Sequence, residues 1–142
     1  MAKNRLEVSY DFQFDLIAVN TNVKEYKLAW AVNKELGLSL SKEENISIDF
    51  SKGKSLSISN YSCKTEYQTF RLLKNKAENQ GEQFNAFLIP ELKNFDYFLM
   101  VADDSMTFQI NPFISTIKEI PFVLFAVSVD TSALKSRDNL IF

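Results

Sequence analysis

The sequence predicts an α+β fold, a mostly antiparallel sheet with two helices in one domain spanning residues 1–142, and three observations lead there. Apolar and polar residues alternate over several short stretches, the period of a half-buried strand. Two other stretches repeat their apolar residues at helical spacing and are bounded by capping residues, glycine or proline. The strand-like runs between residues 46 and 73 are joined by links too short for a crossover, so they must pair antiparallel.

The first strand is read over residues 6–19. Leu6, Val8, Tyr10, Phe12, Phe14 and Leu16 fall on one face and Glu7, Ser9, Asp11, Gln13 and Asp15 on the other. Leu16, Ile17, Ala18 and Val19 are apolar on both faces, as a strand entering a sheet centre would be. Asn20, Thr21 and Asn22 end it and start a helix over 23–36, with Asn22 as N-cap, Glu25 reaching back to it and Gly37 as the left-handed stop. At about 100° per residue, Val23, Tyr26, Leu28, Ala29, Trp30, Val32 and Leu36 form a broad apolar arc opposite Lys24, Lys27, Lys34 and Glu35. Asn33 falls inside that arc. It is either a satisfied rim amide or, with Trp30, a ligand-facing group.

Ile46, Ile48 and Phe50 alternate as a short strand, residues 51–54 read as a hairpin turn, and Leu56 and Ile58 lead on to Tyr61. A reversal at 62–66 precedes a strand over 67–73, with the single cysteine, Cys63, as a turn thiol. Residues 75–83 are the most polar stretch and are expected to form a flexible surface loop. Strands are then expected over 84–89 and 95–102, the second apolar on both faces and therefore central. Asn111 and Pro112 suit the start of a second helix that Pro121 stops, and residues 122–129 form a last strand, again apolar on both faces. The terminal Leu140, Ile141 and Phe142 are expected to tuck against the body. This order of elements is that of a ferredoxin-like plait with an enlarged middle hairpin.

Composition excludes more than it assigns. The 142 residues include 13 Phe, 5 Tyr and 1 Trp, with a formal charge of −2 and no histidine. The charges are interspersed and offer no cationic field for a phosphate backbone, so nucleic acid is not an expected partner. No apolar run approaches the ~20 residues of a spanning helix and no signal-peptide core opens the chain, so a soluble cytoplasmic protein without membrane contact is expected. Without histidine, Ser-His-Asp, Cys-His and His-metal chemistry have no home in this chain. One cysteine allows neither an intrachain disulfide nor a thiolate zinc cluster. No cofactor is expected.

The sharpest local feature is the proline corner Ile89-Pro90-Glu91, followed after Leu92, Lys93, Asn94 and Phe95 by Asp96-Tyr97. Pro90 fixes the chain direction and holds Ile89 extended. Glu91 and Asp96 flank the turn, either as a carboxylate pair for acid-base or divalent-metal chemistry or as acceptors for turn amides, with Tyr97 packed and its hydroxyl anchored. The pattern resembles a family of small bacterial proteins, found mainly in the Bacteroidetes group and named for Ile-Pro-Glu, three arbitrary residues, Val and Asp-Tyr. Ile89, Pro90, Glu91, Asp96 and Tyr97 match at that spacing and Phe95 stands at the Val position. The Trp-bearing first helix and the Asn-Leu-Ile-Phe ending are also similar to that family. The resemblance implies no activity.

Asp103 and Asp104 close the central strand and are the other candidate metal ligands, although adjacent strand residues point to opposite faces. The leading functional expectation is a non-catalytic cytoplasmic module that binds a protein or small ligand, self-associating through a sheet edge or helix face. The alternative is a small hydrolase or transferase that uses a divalent metal held by Glu91, Asp96, Asp103 and Asp104.

Overall fold

A computed structural model describes residues 14–51, 54–78 and 86–142. Residues 6–13 of the expected first strand, Lys52 and Gly53 of the hairpin turn, and 79–85 of the polar stretch lie outside them. Within the described residues the chain forms eight strands and two helices. In chain order these are β1 (Asp15–Thr21), α1 (Glu25–Leu36), β2 (Ser41–Lys42), β3 (Ile46–Ser51), β4 (Lys54–Ile58), β5 (Asn60–Lys64), β6 (Gln68–Lys74), β7 (Tyr97–Asp103), α2 (Ile110–Lys118) and β8 (Val123–Val129). Six strands make one antiparallel sheet in the order β2-β5-β6-β7-β1-β8, and β3 pairs with β4 in a separate hairpin. The fold is therefore α+β, as the sequence predicts. The inner order β8-β1-β7-β6 is that of a βαββαβ plait, with β2 to β5 inserted between α1 and β6.

β1 and β7 are central because both of their faces are apolar. Ile17, Val19, Tyr97, Leu99 and Val101 point to the helices, where they meet Leu28, Val32, Phe113, Ile114 and Ile117. Leu16, Ala18, Phe98 and Met100 point to the other face. There Leu56 and Ile58 of the β3–β4 hairpin, Leu88 and Ile89 of the corner, and Leu134 and Leu140 of the C-terminal segment complete a second core. Leu140 tucks in as expected, while Ile141 and Phe142 stay exposed. Among the described residues no helix is long and apolar enough to cross a membrane.

Several elements depart from the sequence expectation, each for a tertiary reason. α1 starts at Glu25 with Lys24 in the cap position and no side-chain cap, so Asn22 is not the N-cap. The Tyr97 hydroxyl donates to the Val23 carbonyl (2.9 Å) and holds the chain extended past Asn22. Gly37 closes the helix at φ 67°, as expected. The apolar arc is narrower than read, because Leu28, Ala29, Ala31 and Val32 are buried while Tyr26 and Trp30 are 64% and 61% exposed.

The strand expected to run from Leu56 to Tyr61 breaks at Ser59, whose carbonyl accepts from Lys74 N–H (3.1 Å). β4 ends there and β5 joins the main sheet, which places Cys63 inside β5 rather than in a turn. Asn75, expected at the start of a flexible loop, is fully buried. The strand expected at 84–89 reduces, among the described residues, to an isolated bridge between Lys76 and Phe87. α2 begins at Ile110, so Pro112 is the third helical residue rather than the first. Its missing N–H still falls among the four that lack an intrahelical partner, so the position tolerates it. β8 is an edge strand, with Leu124 and Phe125 exposed.

Candidate functional site

The corner leads into β7. Ile89 is extended (φ −122°, ψ 91°) and Pro90 opens a short 3-10 turn over Pro90–Leu92. Local bonds are few: Leu92 N–H to the Ile89 carbonyl (3.0 Å), Lys93 N–H to that of Pro90 (3.2 Å) and Phe95 N–H to that of Leu92 (3.0 Å). The rest is supplied by Asn75, which the sequence left in a loop. Its carboxamide donates to the carbonyls of Leu92 and Phe95, both at 3.0 Å, and accepts from Ile89 N–H (2.9 Å). Its backbone donates to the Asp96 carbonyl (3.0 Å) and accepts from Leu88 N–H (2.7 Å). A buried amide so placed satisfies backbone groups that the proline turn cannot pair by itself.

Glu91, Asp96 and Tyr97 of the corner are each held by hydrogen bonds to the fold. Asp96 Oδ2 accepts from Thr21 N–H (3.0 Å), which closes the end of β1, and Asp96 N–H donates to the Val19 carbonyl (3.0 Å). Glu91 turns to the C-terminal segment and accepts from the Ser136 amide (2.8 Å) and hydroxyl (2.9 Å). Burial works against its carboxylate, but the hydrogen bonds from Ser136, its own amide and Lys135 outweigh that and lower its pKa. Tyr97 is buried with its hydroxyl on the Val23 carbonyl. Burial of the phenol, with Glu25, Asp96 and Glu78 close by, pushes its pKa up to about 12.

Beside the corner lies a cleft of about 270 Å³ lined by Lys74, Lys76, Lys93, Asp96 and Tyr97, among others. Lys74 pairs with Glu78 at 3.5 Å. Asp96 is the acid among the lining residues, beside the three lysines. A wider groove of about 650 Å³ crosses the outer strands past Glu43, Asn60, Ser62, Lys64 and Arg71, again with both signs of charge.

The remaining candidates lie elsewhere. Asp96 and Asp103 bracket β7, and at about 3.3 Å per residue they stand some 20 Å apart. Asp103 receives the Ser105 amide (2.9 Å) and hydroxyl, Thr107 N–H (2.9 Å) and Phe108 N–H (2.6 Å). The Ser105 hydroxyl above all, with the Ser105 and Phe108 amides and the Gln68 side chain, holds its carboxyl well below the usual carboxylate range against some desolvation. Asp103 thus shapes the approach to α2. Asp104 is exposed, with its amide on the Tyr67 carbonyl (2.8 Å). Among the described residues no three His, Cys, Asp or Glu side chains gather as a metal site would require. Asn33 pairs both ends of its amide with Leu40, accepting from N–H (2.8 Å) and donating to the carbonyl (3.1 Å), so it locks the turn after α1. Trp30 lies on the outer face of α1 with the Lys34 ammonium 5.2 Å from its ring centre.

The surface feature that the sequence reading missed is β8. It pairs with β1 alone, and among the described residues no strand pairs with its outer edge. Leu124 is 64% and Phe125 50% exposed. Phe95 of the corner stacks on Phe125 at 6.1 Å and so braces this edge. The available signal was the absence of any charge or proline from Val123 to Val129. That absence equally suits a strand apolar on both faces, the expectation for residues 122–129. Comparison with protein-family models, curated proteins and solved structures finds no match to this chain.

Proposed function

We propose that this chain is a non-catalytic cytoplasmic module that works by associating with copies of itself. The observation behind this reading is where four of its large exposed apolar side chains sit on regular elements. Tyr26 and Trp30 stand one turn apart on α1, and Leu124 and Phe125 are adjacent on β8, whose outer edge no strand pairs among the described residues. Aromatic side chains exposed on rigid elements are the type that dominates protein interfaces. Of the acids that could have carried chemistry, Glu91, Asp96 and Asp103 accept from amides and hydroxyls of the fold, and Asp103 and the exposed Asp104 lie at the far end of β7 from the corner. On this reading the positions shared with the Ile-Pro-Glu family, Ile89, Pro90, Glu91, Asp96 and Tyr97, build a rigid corner rather than a reaction centre.

Light scattering across a wide range of protein concentration tests the proposal. The expected result is a mass that rises above that of one chain as concentration increases. A mass of one chain throughout would remove the reading.

A further inference from the structure

We infer that the self-association proposed above runs through the outer edge of β8, which pairs antiparallel with β8 of a second copy to give one continuous twelve-stranded sheet about a twofold axis. The count follows from two six-stranded sheets joined edge to edge. The inference rests on that reading and names the surface and the partner.

The two edges of the sheet are built in opposite ways. At one end lies β2, only two residues long, both exposed and one of them Lys42. A short charged edge of this kind is how sheets avoid pairing with other chains. At the other end β8 runs seven residues, Val-Leu-Phe-Ala-Val-Ser-Val, with no charge and no proline. Its single irregularity is the register shift opposite Asn20 and Thr21, which leaves Leu124 as the extra residue. From Phe125 to Val129 the ladder to β1 is regular, Phe125 opposite Asn20 through Val129 opposite Leu16. Along this stretch alternate residues turn their backbone donors and acceptors to the outer edge, where no strand pairs among the described residues.

The occupant of that edge follows from its chemistry. An antiparallel edge is self-complementary, since rotation by a half turn sets each donor of one copy against an acceptor of the other. With no charge between Val123 and Val129, a second copy meets no like-charge repulsion. Within the main sheet, a head-to-tail arrangement would need β8 to pair with β2, and two residues cannot match seven. Pairing of β8 with β8 uses the same edge on both copies and so closes at two. Phe125 is held against the sheet by Phe95, so the edge is already ordered before it pairs.

The test combines mass, tryptophan emission and amide exchange on the full chain and two variants. Phe125→Lys puts a charge on the edge at the expense of the ring stack. Ser128→Lys puts one on an exposed serine and leaves the core alone, so it keeps the test interpretable if the first variant unfolds. The wild type is expected to reach the mass of two chains, with slowed exchange in Val123–Val129 as concentration rises. Ser128→Lys is expected to weaken association by about tenfold or more. Trp30, the only tryptophan, lies on α1, so its emission should not change with concentration. Association that both variants leave intact, with a blue shift of Trp30, would move the interface to α1 and overturn the edge while sparing self-association. A mass that grows past two chains would overturn the closed twofold. Edge amides already protected in a single-chain species would mean that another part of the same chain covers β8, and would overturn both.

Discussion

The carboxamide of Asn75 reaches three backbone groups on three sides of the proline corner, and its own amide and carbonyl reach two more. Pro90 removes one donor and fixes one dihedral, but the groups around it still need partners in a region without sheet or helix. Asn75 brings them from the end of β6, so the corner is held by a residue outside its own sequence. Replacing Asn75 by Ala would leave the buried Ile89 N–H and the Phe95 carbonyl unpaired, and the Leu92 carbonyl with only the Phe95 N–H of its two donors. At the usual cost of stranded buried groups, Asn75→Ala should destabilise the fold by about 3 kcal/mol, measured by denaturant unfolding. A loss below about 1 kcal/mol would mean that water or a shifted chain replaces the amide, and that the corner stands on Pro90 and its local turn.

How far each element could be read from sequence depended on whether its neighbours or its own residues decide it. β7 was legible because both faces of a central strand must be apolar, and Gly37 was legible because only a left-handed residue ends α1 in this way. The edge position of β8 was not, since an uncharged edge and a buried strand share one composition. The break at Ser59 was hidden because Leu56, Ile58 and Tyr61 suit strand on either side of it. At the site, the sequence offered two readings of Glu91, Asp96 and Asn33, and their partners Ser136, Thr21 and Leu40 are set by tertiary packing. The start of α1 belongs to the same group. Locally Asn22 and Glu25 form a capping pattern, but the Tyr97 hydroxyl takes the Val23 carbonyl first. Tyr97→Phe removes that bond and should cost about 1 kcal/mol in thermal or chemical unfolding. The phenol also sets a pH window. Its pKa rises from 10.0 to about 12 in the folded chain, so its contribution is complete below pH 10 and is lost as pH climbs toward 12. The Phe variant should lose this part of the alkaline destabilisation. An unchanged alkaline profile would show that the Tyr97 hydroxyl does not couple folding to pH.

The sheet carries a core on each face, and the two are built differently. Two continuous helices cover one face, while the other is closed by three unconnected pieces: the β3–β4 hairpin, the corner and the C-terminal segment. A layer assembled from separate pieces needs ties between them, and Glu91 is the tie from the corner to the last segment through Ser136. Asn139 adds a second by donating to the Leu88 carbonyl (2.8 Å), and Leu140 supplies the apolar contact below. Glu91→Gln keeps the shape but loses the charge that strengthens both Ser136 bonds. Because Glu91 is largely solvent-exposed, the cost should be screened to about 1 kcal/mol, and it should fall on the C-terminal segment rather than on the sheet. Amide exchange should therefore quicken across residues 131–142 and stay unchanged in β1 and β7. The pH dependence follows from the direction of the shift. The folded carboxyl has a pKa below its ordinary 4.5, so the tie is complete above that value and weakens as pH falls through the lower folded one. Wild-type protection of residues 131–142 should drop on acidification before the central strands open, whereas Glu91→Gln should be loose throughout and show no such step. If acid released the segment equally in both proteins, Leu140 and Asn139 would be holding it alone, and the corner would brace only the edge strand on which Phe95 rests.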